Sequence, residues 1–235
     1  MKFTINPHIF ETFPGLTVGV VVASNLTNKG ESQEINELIR HEEERIKNSF
    51  SLETLSQQPA IEAWRKAYQA FGAKPKDHRS SVENLYRLVL QGASLRHINM
   101  LVDIYNVTSL TYMLPVGGED LDTMKGDIQL TLASANETPI TLLGDKEQRA
   151  PHKGEVIYKD EISTICRRWN WREADRTKLT EQTTHAILVI EGLPPTTQET
   201  IEVATHALAN HITRYCKGEV VSHILNQQYA SITVK

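Results

Sequence analysis

Residues 64–92, WRKAYQAFGAKPKDHRSSVENLYRLVLQG, decide the fold, with INMLVDIYN at 98–106 and LPVGGEDLDTMKG at 114–126 behind them. A helix is predicted from about residue 60 to 70. Gly72 and Pro75 stop it, because glycine costs a helix backbone entropy and proline lacks the N–H that a helix needs. The Lys74-Pro75-Lys76 turn leads into a second helix over 82–91. Ser80 or Ser81 is placed to accept from the free N–H groups of its first turn, and Gly92 is placed to end it.

Working outward, TVGVVVAS at 17–24 is a β-branched run suited to a buried strand, after the Pro14-Gly15 turn signal. Ile35, Leu38, Ile39, Ile46 and Phe50 recur at helical spacing with charges opposite, which predicts an amphipathic helix. Beyond Gly126 short strands dominate: DIQLTLA, GEVIYKD, EISTICRRWN and HAILVIEGL. Ile201, Ala204, Leu208, His211, Ile212 and Tyr215 then trace one helical stripe, and ASITVK reads as an edge strand. There is no clean βαβ alternation, so the expected class is α+β. No repeat or long linker interrupts the chain, so residues 1–235 are expected to form one domain. Its helix-rich half (about 1–126) and strand-rich half (about 127–235) should pack as one unit.

Composition narrows the possible functions. At 235 residues and 40 % hydrophobic content the chain can bury a real core. No apolar run approaches the roughly 18 residues needed to span a bilayer, and MKFTINPHIF lacks the features of a signal peptide. No membrane association and a cytoplasmic location are therefore expected. Cys166 and Cys216 have no Cys-x-x-Cys spacing and are expected to be reduced, packed thiols. A net charge of −4 argues against polyphosphate binding by bulk charge, so any nucleic-acid contact must be local. Positions 65–96 do segregate charge: seven Lys or Arg against Asp77 and Glu83, which is +5. Such a run fits either a solvated face or a phosphate-contacting surface.

Phosphate-loop, dinucleotide, nucleophile-elbow and His-Glu-x-x-His motifs are all absent. His206 and His211 are five apart and point to different sides of a helix, so neither a metal nor a cofactor is expected. Arg167 and Arg168 beside Cys166 invite a lowered thiol pKa, but the flanking strand pattern favours a structural cysteine.

Taken together, several motifs recur in one order: Phe71-Gly72, Pro75-Lys76, Arg79-Ser80-Ser81-x-Glu83, Val102-Asp103-x-x-Asn106, Leu114-Pro115-Val116-Gly117, Asp120-Leu121-Asp122, Gly154-Glu155, Asp160, Arg168-Trp169-Asn170-x-Arg172 and the 179–183 segment. Over about residues 60–191 this order resembles the B3/B4 domain of the phenylalanyl-tRNA synthetase β-subunit. The resemblance implies an α+β layered fold with helices on a β-sandwich of unusual topology, and a role in proofreading aminoacyl-tRNA. It implies a substrate pocket at Tyr105, Asn106, Gly117, Asn170, Arg172, Thr183, Val189 and Glu191. The family's site histidine falls at Gly117 here, so that base is missing. The family's tyrosine-recognising glutamate falls at Val189, with Glu191 two residues on and on the same face of a strand.

A separate class II catalytic domain does not fit in 235 residues, so the chain is expected not to charge tRNA itself. Hydrolysis of mischarged aminoacyl-tRNA in trans is the reading that remains for an enzyme. Asn106, Glu83, Asp103 and Asp160 are its candidate catalytic residues, and Arg65, Lys66, Lys74, Lys76, Arg79 and Arg168 its candidate tRNA contacts. A noncatalytic tRNA- or partner-binding module and a small-molecule binder or hydrolase are the alternatives.

Overall fold

The computed structural model describes residues 1–234. In chain order its elements are β1 (Lys2–Ile5), α1 (Pro7–Thr12), β2 (Thr17–Ser24), α2 (Gln33–Ser49), α3 (Pro59–Ala70), α4 (Ser81–Leu90), α5 (Met100–Tyr112) and β3 (Val116–Asp120). They continue with β4 (Ile128–Leu132), β5 (Ile140–Thr141), β6 (Gln148–Arg149), β7 (Val156–Lys159), β8 (Thr164–Arg167), β9 (Arg172–Glu173), β10 (Ala186–Gly192), α6 (Gln198–Cys216), β11 (Glu219–Leu225) and β12 (Ser231–Thr233).

Two larger sheets carry the molecule. One is four-stranded in the order β11-β2-β10-β3, antiparallel throughout. The other is six-stranded in the order β12-β1-β4-β7-β8-β9, antiparallel except for the β1–β4 pair. β2 is almost wholly buried, as its β-branched run requires, and lies inside its sheet. The four-stranded sheet takes β2 and β3 from before Gly126 and β10 and β11 from after it, so the two sequence halves interlock through their backbones.

Alternation along β10 assigns the faces. Ile187, Val189 and Glu191 point between the sheets, and Leu188 and Ile190 lie on the opposite face. On that second face α6 packs closely against β2 and β10. A Cβ on Gly19 would stand 1.9 Å from Thr205 Oγ1, and one on Gly192 would stand 2.6 Å from Ile201 Cδ1. The helices are capped as their sequences indicate. Ser80 Oγ accepts from Glu83 N at 3.4 Å at the start of α4, and Asn99 Oδ1 accepts from Val102 N at 3.1 Å at the start of α5. No helix of the described residues is long and apolar enough to cross a membrane.

Candidate functional site: an acidic cavity between the sheets

A cavity of about 90 Å³ lies between the two sheets. A water needs roughly 10–15 Å³ of such space, so the cavity has room for several waters or one amino-acid side chain. Its walls are mostly apolar, with Phe3, Met124, Ile128, Ile165, Ile187 and Val189 among them. Into this setting the chain places three carboxyls, Glu119, Glu173 and Glu191, and the lining includes no Lys, Arg or His.

Register explains how they meet. Gly117 pairs with Val189 and Glu119 with Ile187 across β3–β10, so Gly117, Glu119 and Val189 share the inward face. On the opposing sheet Tyr158, Cys166 and Glu173 stand in one row across β7, β8 and β9. A Cβ added at Gly117 would stand 3.4 Å from Glu173 Oε1, so the Glu173 carboxyl lies over Gly117.

The three carboxyls differ in their partners. Glu191, 1 % exposed, accepts from the Tyr158 hydroxyl, from Trp169 Nε1 at 2.6 Å and from Asn170 Nδ2 at 2.7 Å. Burial nonetheless raises it to about 7, against the pull of those donors. Glu173 is likewise raised to about 7 by burial, with the Gly118 backbone pulling the other way. Glu119, 9 % exposed, is pushed well above the usual carboxylate range by burial and then by Glu173, and its Oε2 has no hydrogen-bond partner. Cys166 lies among them, and its thiol is pushed well up by burial and by Glu173, Glu119 and Glu191. Cys216, also buried, is pushed up to about 12. Neither cysteine is an activated thiolate.

The wall that carries Trp169 is locally strained. Arg168 and Trp169 have φ of 47° and 67°, in the left-handed region that non-glycine residues occupy at a cost. Backbone bonds from Arg168 N to Glu155 Oε1 (3.0 Å) and from Trp169 N to Val156 O (2.6 Å) hold the corner, together with the two bonds to Glu191. Edge contacts from Phe13 and Trp64 pack the Trp169 ring.

A groove opens beside the cavity. Tyr105, Asn106, Asn84 and Leu88 line it, and it shares Ser81, Val116, Trp171 and Glu173 with the cavity wall. Asn106 is 7 % exposed and sits inside α5, and its carboxamide makes no hydrogen bond among the described residues. It therefore does not tie down a helix end.

Several expected site residues lie elsewhere, and the reasons are physical. Glu83 is fully buried outside the cavity and anchors Arg65 (2.9 Å), Arg87 (2.9 Å) and Arg79 (3.7 Å). It is a helix-pairing residue, and it occupies two of the arginines expected to meet tRNA. Asp103 accepts from Ile98 N and meets His97 Nδ1 at 2.5 Å, which fixes the entry to α5. Asp160 accepts from three backbone amides, of Lys125, Ile162 and Ser163, and from Arg176. Thr183 donates to Asp120 Oδ2 at 2.6 Å, away from the cavity. Arg172 turns outward to Asp145 at 3.0 Å. Arg168 is buried, with its guanidinium 4.5 Å from the Trp171 ring. Lys66 is exposed and pairs with Glu62, and Lys74 and Lys76 are exposed on their turn. His78, just beyond that turn, packs edge-on against Trp171 at 4.7 Å, so the basic turn lies beside the cavity wall.

Two sheets packed face to face, with helices outside and an acidic cavity between, define an α+β sandwich of the layered type expected from the motifs. The chain belongs to the B3/4 domain family, whose model matches residues 63–228. Over 76 residues, 32 % of this chain, it is 37 % identical to the phenylalanine–tRNA ligase beta subunit of Leifsonia xyli subsp. xyli (strain CTCB07). Those residues make up 9 % of that relative, so the chain spans far less than its full length. An N-terminal fragment of the phenylalanyl-tRNA synthetase beta-subunit from Pyrococcus horikoshii superposes with a TM-score of 0.47 at 10 % identity, covering 93 % of this chain and 49 % of that one.

Proposed function

We propose that this protein hydrolyses the ester of mischarged aminoacyl-tRNA in trans, with Glu173 as the general base. The observation that carries this reading is the Glu173 carboxyl, raised to about 7 and standing over Gly117 where cavity and groove join. A base of that pKa is poised to take a proton from water near neutral pH. The amino-acid side chain occupies the cavity and the ester lies in the groove. Water, deprotonated by Glu173, attacks the carbonyl carbon, and the ribose oxygen leaves and takes up a proton. The Asn106 carboxamide is free to donate to the developing oxyanion. The exposed Lys74 and Lys76, next to His78 on Trp171, face the incoming phosphates.

The test follows release of labelled amino acid from a panel of correctly and wrongly charged tRNAs. Selective hydrolysis is expected, and Glu173→Gln should lower turnover by about 10²–10⁴ with tRNA affinity retained. Wild-type turnover in that variant would remove Glu173 from the chemistry. Binding of tRNA without hydrolysis across the panel would replace the enzyme with a binding module.

A further inference from the structure

We propose that β11 pairs edge to edge with β11 of a second copy of this chain, centred on Val221, and so joins two four-stranded sheets into one eight-stranded sheet. None of the β11 residues lines the cavity, and the pairing is independent of the proposed chemistry.

The two larger sheets have four edges, and three of them are guarded. β12 has three residues, β9 has two, and β3 is bridged from outside where Lys178 pairs with Glu119. Short or covered edges give another strand little to add to. β11 is different: it is seven residues long, runs beside β2 in unbroken register and ends its sheet. One row of its backbone N–H and C=O groups therefore has no strand beside it among the described residues. Its sequence, EVVSHIL, contains neither the proline nor the lysine that usually protects such an edge, and Val221 is 55 % exposed.

The order of its side chains points to a second copy as the occupant. A two-fold antiparallel pair is centred on one residue, and residues facing each other share a face of the sheet. Centred on Val221, Glu219 of each copy faces His223 of the other, and Val220 faces Ser222. Within the chain neither Glu219 nor His223 has a hydrogen bond or ion pair among the described residues. Val22 lies beside Val221 on β2, so a row of four valines, Val22 and Val221 from each copy, would run across the junction between two carboxylate–imidazole pairs. Covering exposed valine and setting Glu opposite His both stabilise a strand pair. Centring on Val220 would set Glu219 against Val221, and centring on Ser222 would set it against Leu225, so each leaves the carboxylate opposite an apolar side chain. The two-fold axis stands perpendicular to the sheet, which puts both α6 helices on one face and closes the assembly at two copies.

The test is the mass of the full chain in solution. Sedimentation velocity over about 1–200 µM is expected to show a species of twice the chain mass that grows with concentration. Val221→Lys puts a charge at the centre of the junction and should weaken association at least about tenfold, with circular dichroism unchanged because the side chain is exposed. Glu219→Lys should also weaken it, and adding His223→Glu should restore it. Val221→Cys reads the register directly. Facing Cα atoms in an antiparallel pair stand about 4.5–5.5 Å apart, within disulfide reach, so copper-phenanthroline oxidation should link two copies. Cys166 and Cys216 are buried and stay out of that reaction. Ser222→Cys, whose symmetry mate lies diagonally across, should link at least about tenfold more slowly. A dimer that Val221→Lys leaves intact, an assembly larger than two copies, no restoration by His223→Glu, or equal linking at the two cysteine positions would each overturn the pairing. So would a chain that stays monomeric throughout, which would leave this edge to an extended peptide from another protein.

Discussion

Glu191 shows how one buried carboxyl can be both a wall and a pH sensor. Three donors converge on it, and two of them, Trp169 and Asn170, belong to the strained corner. Its folded value of about 7 lies above the roughly 4.3 of an unfolded glutamate. The folded state therefore binds the proton more tightly. The associated stability is fully present below the unfolded value and is lost as pH rises through 7. For Glu191 the difference corresponds to about 4 kcal/mol, an upper order of magnitude. Thermal unfolding of wild type and Glu191→Gln between pH 5 and pH 8 checks this. The wild-type midpoint should fall further across that range, because the variant has no proton to lose at this position. Parallel curves would mean that the three donors hold Glu191 ionised throughout.

At the scale of elements, α6 lies against β2 and β10 so closely that both strands need glycine under it. Gly19→Ala would push a methyl into Thr205, whose hydroxyl is already bonded to Ile201 O at 2.6 Å. Overpacking of this kind costs about 1–3 kcal/mol, so Tm should drop by several degrees. An unchanged Tm would show that α6 can slide on its sheet. Much of this layer was legible in the sequence. β2 and β10 are apolar runs rich in β-branched residues, and α3, α4 and α6 are bounded by their own stop or cap residues. β11 was not legible, because EVVSHIL is largely exposed on an edge strand and has no apolar alternation to read. The site was legible only along single strands. Gly117, Val189 and Glu191 follow from motif order and the two-residue period, and the same period places Glu119 beside Gly117. Glu173 gave no signal, since β9 has two residues and its position comes from pairing with Cys166 on another strand. Glu83, Asp103 and Asp160 illustrate the opposite error. They have the right chemistry for catalysis, but the partners that fix them are visible only once Arg65, His97 and Arg176 are in place.

For the whole molecule, a net charge of −4 opposes nucleic-acid binding at long range, so any approach by tRNA depends on one local surface. Part of the basic run at 65–96 is tied up within the protein: Arg65, Arg79 and Arg87 surround Glu83, and Lys66 pairs with Glu62 at 2.8 Å. Lys74 and Lys76 stay exposed, on the turn whose His78 touches the cavity-lining Trp171. If these two lysines contact phosphates, each contributes roughly 0.7–0.9 to the slope of log affinity against log salt. Lys74→Glu with Lys76→Glu should then weaken tRNA binding and lower that slope by roughly 1.5. Titrations of fluorescently labelled tRNA from 50 to 200 mM salt measure both quantities, with circular dichroism confirming that the variant is folded. A variant with the wild-type slope would place the tRNA elsewhere, and the orientation of the ester relative to Glu173 would have to be turned with it.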